Sequence, residues 1–149
     1  MATTWIVAAD SSRARVLQVA DREHHLTEIA DLVNPKGRMD DRELITDAHP
    51  RFRPVRSGIP GSDRQETGAA QHETELFAKR VGDYLDKARV AHRFDQLVLV
   101  APPKFLGTLR KELGREVGKL VADELPKDLS WLSERELERY FEKESGRAP

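Results

Sequence analysis

Carboxylates near the ends of apolar runs are the first candidates for chemistry. A two-metal nuclease holds its ions about 4 Å apart between acidic side chains supplied by separate elements. Asp10 closes an apolar run, and Glu73 or Glu75 stands on the first long helical stretch. The third carboxylate should follow the run that ends Val100-Ala101-Pro102-Pro103, where none occurs. One arm of the clamp is missing. With Ser11 and Ser12 behind it, Asp10 reads more simply as a turn cap, its side chain accepting backbone amides. The five histidines, His24, His25, His49, His72 and His92, include no pair at the i, i+4 spacing of a helical zinc site. They read as solvated loop residues. Ser11 and Ser12 lack the frame of a nucleophile elbow, and no Gly-rich phosphate loop follows a strand. With no cysteine in the chain, thiolate chemistry and disulfides are excluded. No metal or other cofactor is expected.

Arginines offer a different kind of chemistry. Arg51, Arg53 and Arg56 fall within six residues, interleaved with Phe52, and Arg64 follows. From His49 to Arg64 there are four Arg against one Asp, a local charge of +3 in a chain whose formal net charge is −1. Guanidinium forks suit phosphate oxygens, and an aromatic ring between them can stack on an unpaired base. The plainer alternative is a solvated basic loop, the usual fate of a charge run.

These residues must be positioned by the elements around them. Trp5 to Ala9, Ala14 to Ala20 and Leu26 to Val33 read as three short strands with tight polar connections, an antiparallel meander. A short helical fragment near Asp41 to Thr46 is weakly indicated. Residues 47–71 change character, with three of the eight prolines, three of the nine glycines and no apolar periodicity. They are expected to form one long mobile loop. Leu76, Phe77, Val81, Tyr84, Leu85 and Ala88 predict a helix from His72 to Val90. Phe94 to Ala101 is the clearest buried strand. Leu106, Leu109, Leu113 and Val117 predict a second helix, and Lys119 to Glu124 is ambiguous between helix and a fifth strand. Ser133 and Glu136 form a capping box that opens a last helix with Leu137, Tyr140 and Phe141. The expected fold is α/β: a mixed sheet, the meander followed by βαβ-type units, with helices on its faces. Ribonuclease H-like proteins and a ribosomal-factor fold share this order.

A chain of 149 residues fits a single domain spanning 1–149. Its 25 basic and 26 acidic residues exclude a globally basic nucleic-acid clamp, so any such contact must be local. No run approaches the roughly 18 apolar residues of a membrane span, and the first residues lack the cationic start of a signal peptide. A cytoplasmic protein is expected. An open edge in the meander would allow a homodimer.

Three stretches carry a resemblance. They are Trp5-Ile6-Val7-Ala8-Ala9-Asp10-Ser11-Ser12-Arg13-Ala14-Arg15-Val16, then Phe94 through Arg110, and Lys127-Asp128-Leu129-Ser130. With them the chain resembles the bacterial host-attachment protein family, named for proteins required for attachment to host cells. That family is similar in fold to the middle domain of archaeal and eukaryotic-type peptide release factors and of Pelota. The resemblance implies a functional loop before the first long helix, where release factors carry Gly-Gly-Gln. Here Gly68 and Gln71 stand in Thr67-Gly68-Ala69-Ala70-Gln71-His72, and no Gly-Gly-Gln occurs. Peptide release by that tripeptide is therefore not expected, since alanine lacks the backbone freedom of glycine.

The expected role is non-catalytic contact with structured RNA or the ribosome. Its residues would be Arg51, Phe52, Arg53, Arg56 and Arg64, with Arg13, Arg15 and Lys104 at nearby strand ends. The alternatives are a protein-interaction module in attachment or surface signalling, and an RNA or tRNA-ester hydrolase using Gln71 or Asp10.

Overall fold

The computed structural model describes residues 3–20, 25–35 and 60–147, with side chains described over 68–143 in the last stretch. Three strands come first, β1 (Thr4–Ala9), β2 (Arg13–Val19) and β3 (Leu26–Val33). Then follow helix α1 (Pro60–Val90), β4 (Gln96–Val100), α2 (Pro103–Glu112), α3 (Arg115–Lys119), β5 (Val121–Leu125) and α4 (Glu134–Arg147). The five strands form one sheet in the order β3-β2-β1-β4-β5. β1 pairs antiparallel with β2, and β2 with β3, as the meander predicts. β1 and β4 run parallel, as do β4 and β5. The mixed α/β architecture read from the sequence is the one found.

Alternation along the central strand builds two cores. Trp5, Val7 and Ala9 face one side, where Phe77, Val81 and Leu85 of α1, Phe105, Leu106 and Leu109 of α2 and Val117 of α3 complete the packing. Trp5 is fully buried there against Phe94, with ring centroids 4.9 Å apart, and its indole N–H donates to Gln18 Oε1 at 3.1 Å. Ile6 and Ala8 face the other side, covered by Leu129 and by Leu137 of α4, with Tyr140 and Phe141 against them. The capping box forms as expected: the Glu136 amide donates to Ser133 Oγ at 3.1 Å, and the Ser133 amide donates to Glu136 Oε1 at 2.9 Å.

Several boundaries differ from the sequence reading. The long loop expected over 47–71 does not extend through 60–71, where α1 already runs from Pro60, and residues 47–59 lie outside the described residues. Proline is well placed at a first helical position, and Gln65, Glu66, Ala69, Ala70 and Gln71 are good helix formers. Apolar periodicity does not mark this segment, and its described side chains begin on the surface. Gly68, Ala69 and Ala70 are exposed, and the first buried side chain described on α1 is Phe77. The second helix is broken into α2 and α3 at Leu113 and Gly114, both extended. The ambiguous stretch divides, Lys119 ending α3 and Val121 to Glu124 lying in strand β5. The fragment around Asp41 to Thr46 lies outside the described residues.

α1 and α2 cross closely at Gly82. A Cβ placed there would sit 2.8 Å from the Glu112 carbonyl oxygen, a backbone atom that cannot step aside. Gly107 on α2 has nothing within 4 Å of the same position. Gly82→Ala should therefore lose about 1–3 kcal/mol of stability through overpacking. Gly107→Ala should gain up to about 1 kcal/mol from helix propensity. Urea unfolding of the two variants beside the parent chain checks both signs.

Candidate functional site

The three parallel strands end on one side of the sheet, where β1 runs into Asp10, β4 into Pro102-Pro103 and β5 into the connection 126–132. Ligands of open α/β sheets gather at such carboxyl ends. Here the polar groups bind one another instead. Asp10 Oδ1 accepts from the Ser12 amide at 2.8 Å, the Ser12 hydroxyl at 2.8 Å and the Arg13 amide at 2.9 Å. Its Oδ2 accepts from the Ser130 hydroxyl at 2.9 Å, and Asp128 Oδ1 lies 3.0 Å from that same hydroxyl. Ser130 is 1% exposed. Burial pushes the Asp10 carboxyl up, but the hydrogen bonds from Ser12, Ser130 and Arg13 together outweigh it and hold the group below the ordinary aspartate value.

Arg15 is the second centre. It projects from β2 toward the α4 side of the sheet and is 5% exposed. Its Nε and Nη2 donate to Glu28 Oε1 at 3.0 and 2.7 Å, while Nη1 donates to the carbonyls of Ser130 (3.1 Å) and Leu132. The guanidinium is therefore consumed inside the protein, which corrects its expected role as a nucleic-acid contact. A guanidinium flanked by Ala14 and Val16 in a buried strand, with Glu28 on the next strand, was the signal that sequence reasoning passed over.

Arg13 is half-exposed and pairs with Asp31 of β3 at 2.6 Å. Lys104 is exposed in the first turn of α2. Gly68 and Gln71 lie on α1 rather than in a loop, and the Gln71 amide donates to Glu75 one turn on at 3.3 Å. Arg64 is on α1 with its side chain undescribed, and Arg51, Phe52, Arg53 and Arg56 lie outside the described residues. Among the described residues, no three His, Asp or Glu side chains are grouped as a metal ion would require. No helix there is long and apolar enough to cross a membrane.

The connection 126–132 also carries a feature the sequence reading did not single out. Trp131 is 70% exposed, yet its indole N–H donates to the Asp128 carbonyl at 2.9 Å, which fixes the ring's orientation while its face stays open.

A family model described as protein required for attachment to host cells matches residues 5–141 of this sequence. The chain belongs to that family. No curated protein sequence matches this host-attachment chain. Among solved structures it is similar to the type II variant of the Ppx/GppA phosphatase of Aquifex aeolicus, at 14% identity and a TM-score of 0.43. That alignment covers 84% of this chain and 36% of the phosphatase chain, so the host-attachment chain spans about a third of that protein. The resemblance to release factors and Pelota finds no support in these comparisons. Its tripeptide position is moreover a regular helix, with no positive-φ glycine among the described residues.

The Asp10 hydrogen bonds predict a pH signature. A carboxyl held below its ordinary value contributes stability that is fully present above that value and is lost as pH falls through the depressed folded value. The stability gap between the parent chain and Asp10→Ala should thus be about 1–3 kcal/mol at neutral pH. It should shrink only as the pH drops below the ordinary aspartate range. Denaturant titrations across acid pH check it, and a gap unchanged into strong acid would mean the carboxylate charge is not what stabilises the turn.

Proposed function

We propose that this host-attachment-family chain is a non-catalytic cytoplasmic binding protein that contacts RNA, free or on the ribosome, through the arginine-rich stretch 49–64. One observation carries the reading: four Arg against one Asp there give a local charge of +3, with Phe52 set among the arginines, in a chain of net charge −1. Helix α1 supports it by starting at Pro60, so that Arg64 rides on a helix continuous with the core-packed residues from Phe77 onward. Arg13 and Lys104 are the lesser contacts. Arg15 takes no part, since Glu28 and two carbonyls occupy it. Asp10 acts as a turn cap and not as a base, because four hydrogen-bond donors already fill its two oxygens.

A second reading, a protein-interaction module in attachment or surface signalling, is favoured by Trp131. An oriented, exposed indole is the kind of residue that dominates protein interfaces.

Fluorescence anisotropy with a labelled single-stranded RNA, titrated over a series of salt concentrations, tests the first reading. Each phosphate contact to a single strand adds about 0.7 to the slope of log affinity against log salt. Replacing Arg51, Arg53 and Arg56 together by Glu should weaken binding and flatten that slope by about 2. Trp131→Ala should leave both unchanged. If the parent chain shows no salt-dependent RNA binding, or the arginine variant binds as the parent does, the RNA reading fails. Loss of binding to a protein partner in Trp131→Ala alone would establish the second.

A further inference from the structure

β3 is the outermost strand on its side of the sheet and, at eight residues, the longest. A long edge strand is a template for another strand unless something blocks its outward amides. Something does. The Leu26 amide donates to Glu138 Oε2 and the Glu28 amide to Glu134 Oε2, each at 2.9 Å. The fit is geometric. Four residues of helix rise about 6 Å, and alternate amides of a strand lie about 6.6–6.8 Å apart. Two glutamates one turn apart on α4 can therefore cover two successive outward amides of β3. Leu137, fully buried between them in sequence, fixes α4 against the sheet, and His25 Nδ1 lies 3.4 Å from Glu138 Oε2.

From this arrangement we infer that Glu134 and Glu138 are an edge guard, and that their removal opens β3 to antiparallel pairing with β3 of a second copy of this chain. Charge favours that occupant. The two acids of the strand are already neutralised from β2, Glu28 by Arg15 at 2.7 Å and Asp31 by Arg13 at 2.6 Å. Two copies of β3 therefore meet without repulsion. The freed amides also set the register: Leu26 of one copy exchanges hydrogen bonds with Glu28 of the other, and Thr27 faces Thr27. That central pair lies at the close spacing, about 4.5 Å between Cα atoms, which a disulfide can span.

The chain contains no cysteine, so a single introduced one reports this register directly. In the full chain carrying Thr27→Cys, Glu134→Ala plus Glu138→Ala should produce a concentration-dependent species of twice the parent mass in sedimentation velocity. Mild oxidation should cross-link that species through position 27. Thr27→Cys alone, with the guard intact, should show neither effect. Hydrogen exchange at Leu26 and Glu28 reports whether the guard is gone. Should the double variant lose its fold, Glu138→Ala by itself leaves the capping box intact and should show the same doubling at higher concentration. The inference is overturned if the amides of Leu26 and Glu28 exchange faster while the mass stays that of the parent. It is equally overturned if the dimer forms without a cross-link at position 27.

Discussion

A buried guanidinium holds the second layer of this protein in place. Removing a charge from water is costly unless it is paired and its donors are used, and Arg15 meets that demand from three directions. Glu28 on β3 takes Nε and Nη2, and the carbonyls of Ser130 and Leu132 take Nη1. The same contacts tie the irregular connection 126–132 to the middle of the sheet. The Asp10 bond to Ser130 ties it again, at the end of β1. Helix α4 starts immediately afterwards, so its position, its capping box and the reach of Glu134 and Glu138 to the β3 edge all follow from where that connection is pinned.

The opposite face is built on different physics. There Trp5, Phe77, Leu85, Leu99 and Leu109 pack, among the described residues, without a buried ion pair, and the helices approach until Gly82 touches the backbone of α2. Shape sets that layer, and polar bonds set the other. The division explains why the carboxyl ends of the parallel strands, a usual place for a ligand, hold an internally satisfied network. The groups that would greet a substrate are holding a connection and a helix.

Much of the fold was legible because burial writes itself into the sequence. Trp5 to Ala9 has no polar residue and is the strand buried on both faces; Phe77 to Ala88 keeps helical spacing and is the packed part of α1, while Leu76 beside it is exposed. Ser133 and Glu136 announced a helix start by chemistry alone. What was not legible lacked such a signal. Residues 60–71 are helical, yet Gly68, Ala69 and Ala70 are exposed and no apolar period marks the stretch. Leu113 and Gly114 break a helix whose apolar spacing continues across the break into Val117. Arg15 carries only an indirect signal, its place between Ala14 and Val16, and a guanidinium in a strand looks like a surface charge until Glu28 and the 126–132 carbonyls are brought to it. Ser130 and Trp131 stand in an irregular connection where no periodicity applies.

The most direct test of the account is hydrogen exchange measured residue by residue in Arg15→Met, which keeps the apolar stem and removes the guanidinium. Loss of the pin should lower protection across 129–132 and along α4 while residues 77–90 of α1 and strand β4 keep theirs. If α4 stays as protected as in the parent chain, or if protection falls equally in both layers, Arg15 does not hold the second layer and the account is wrong.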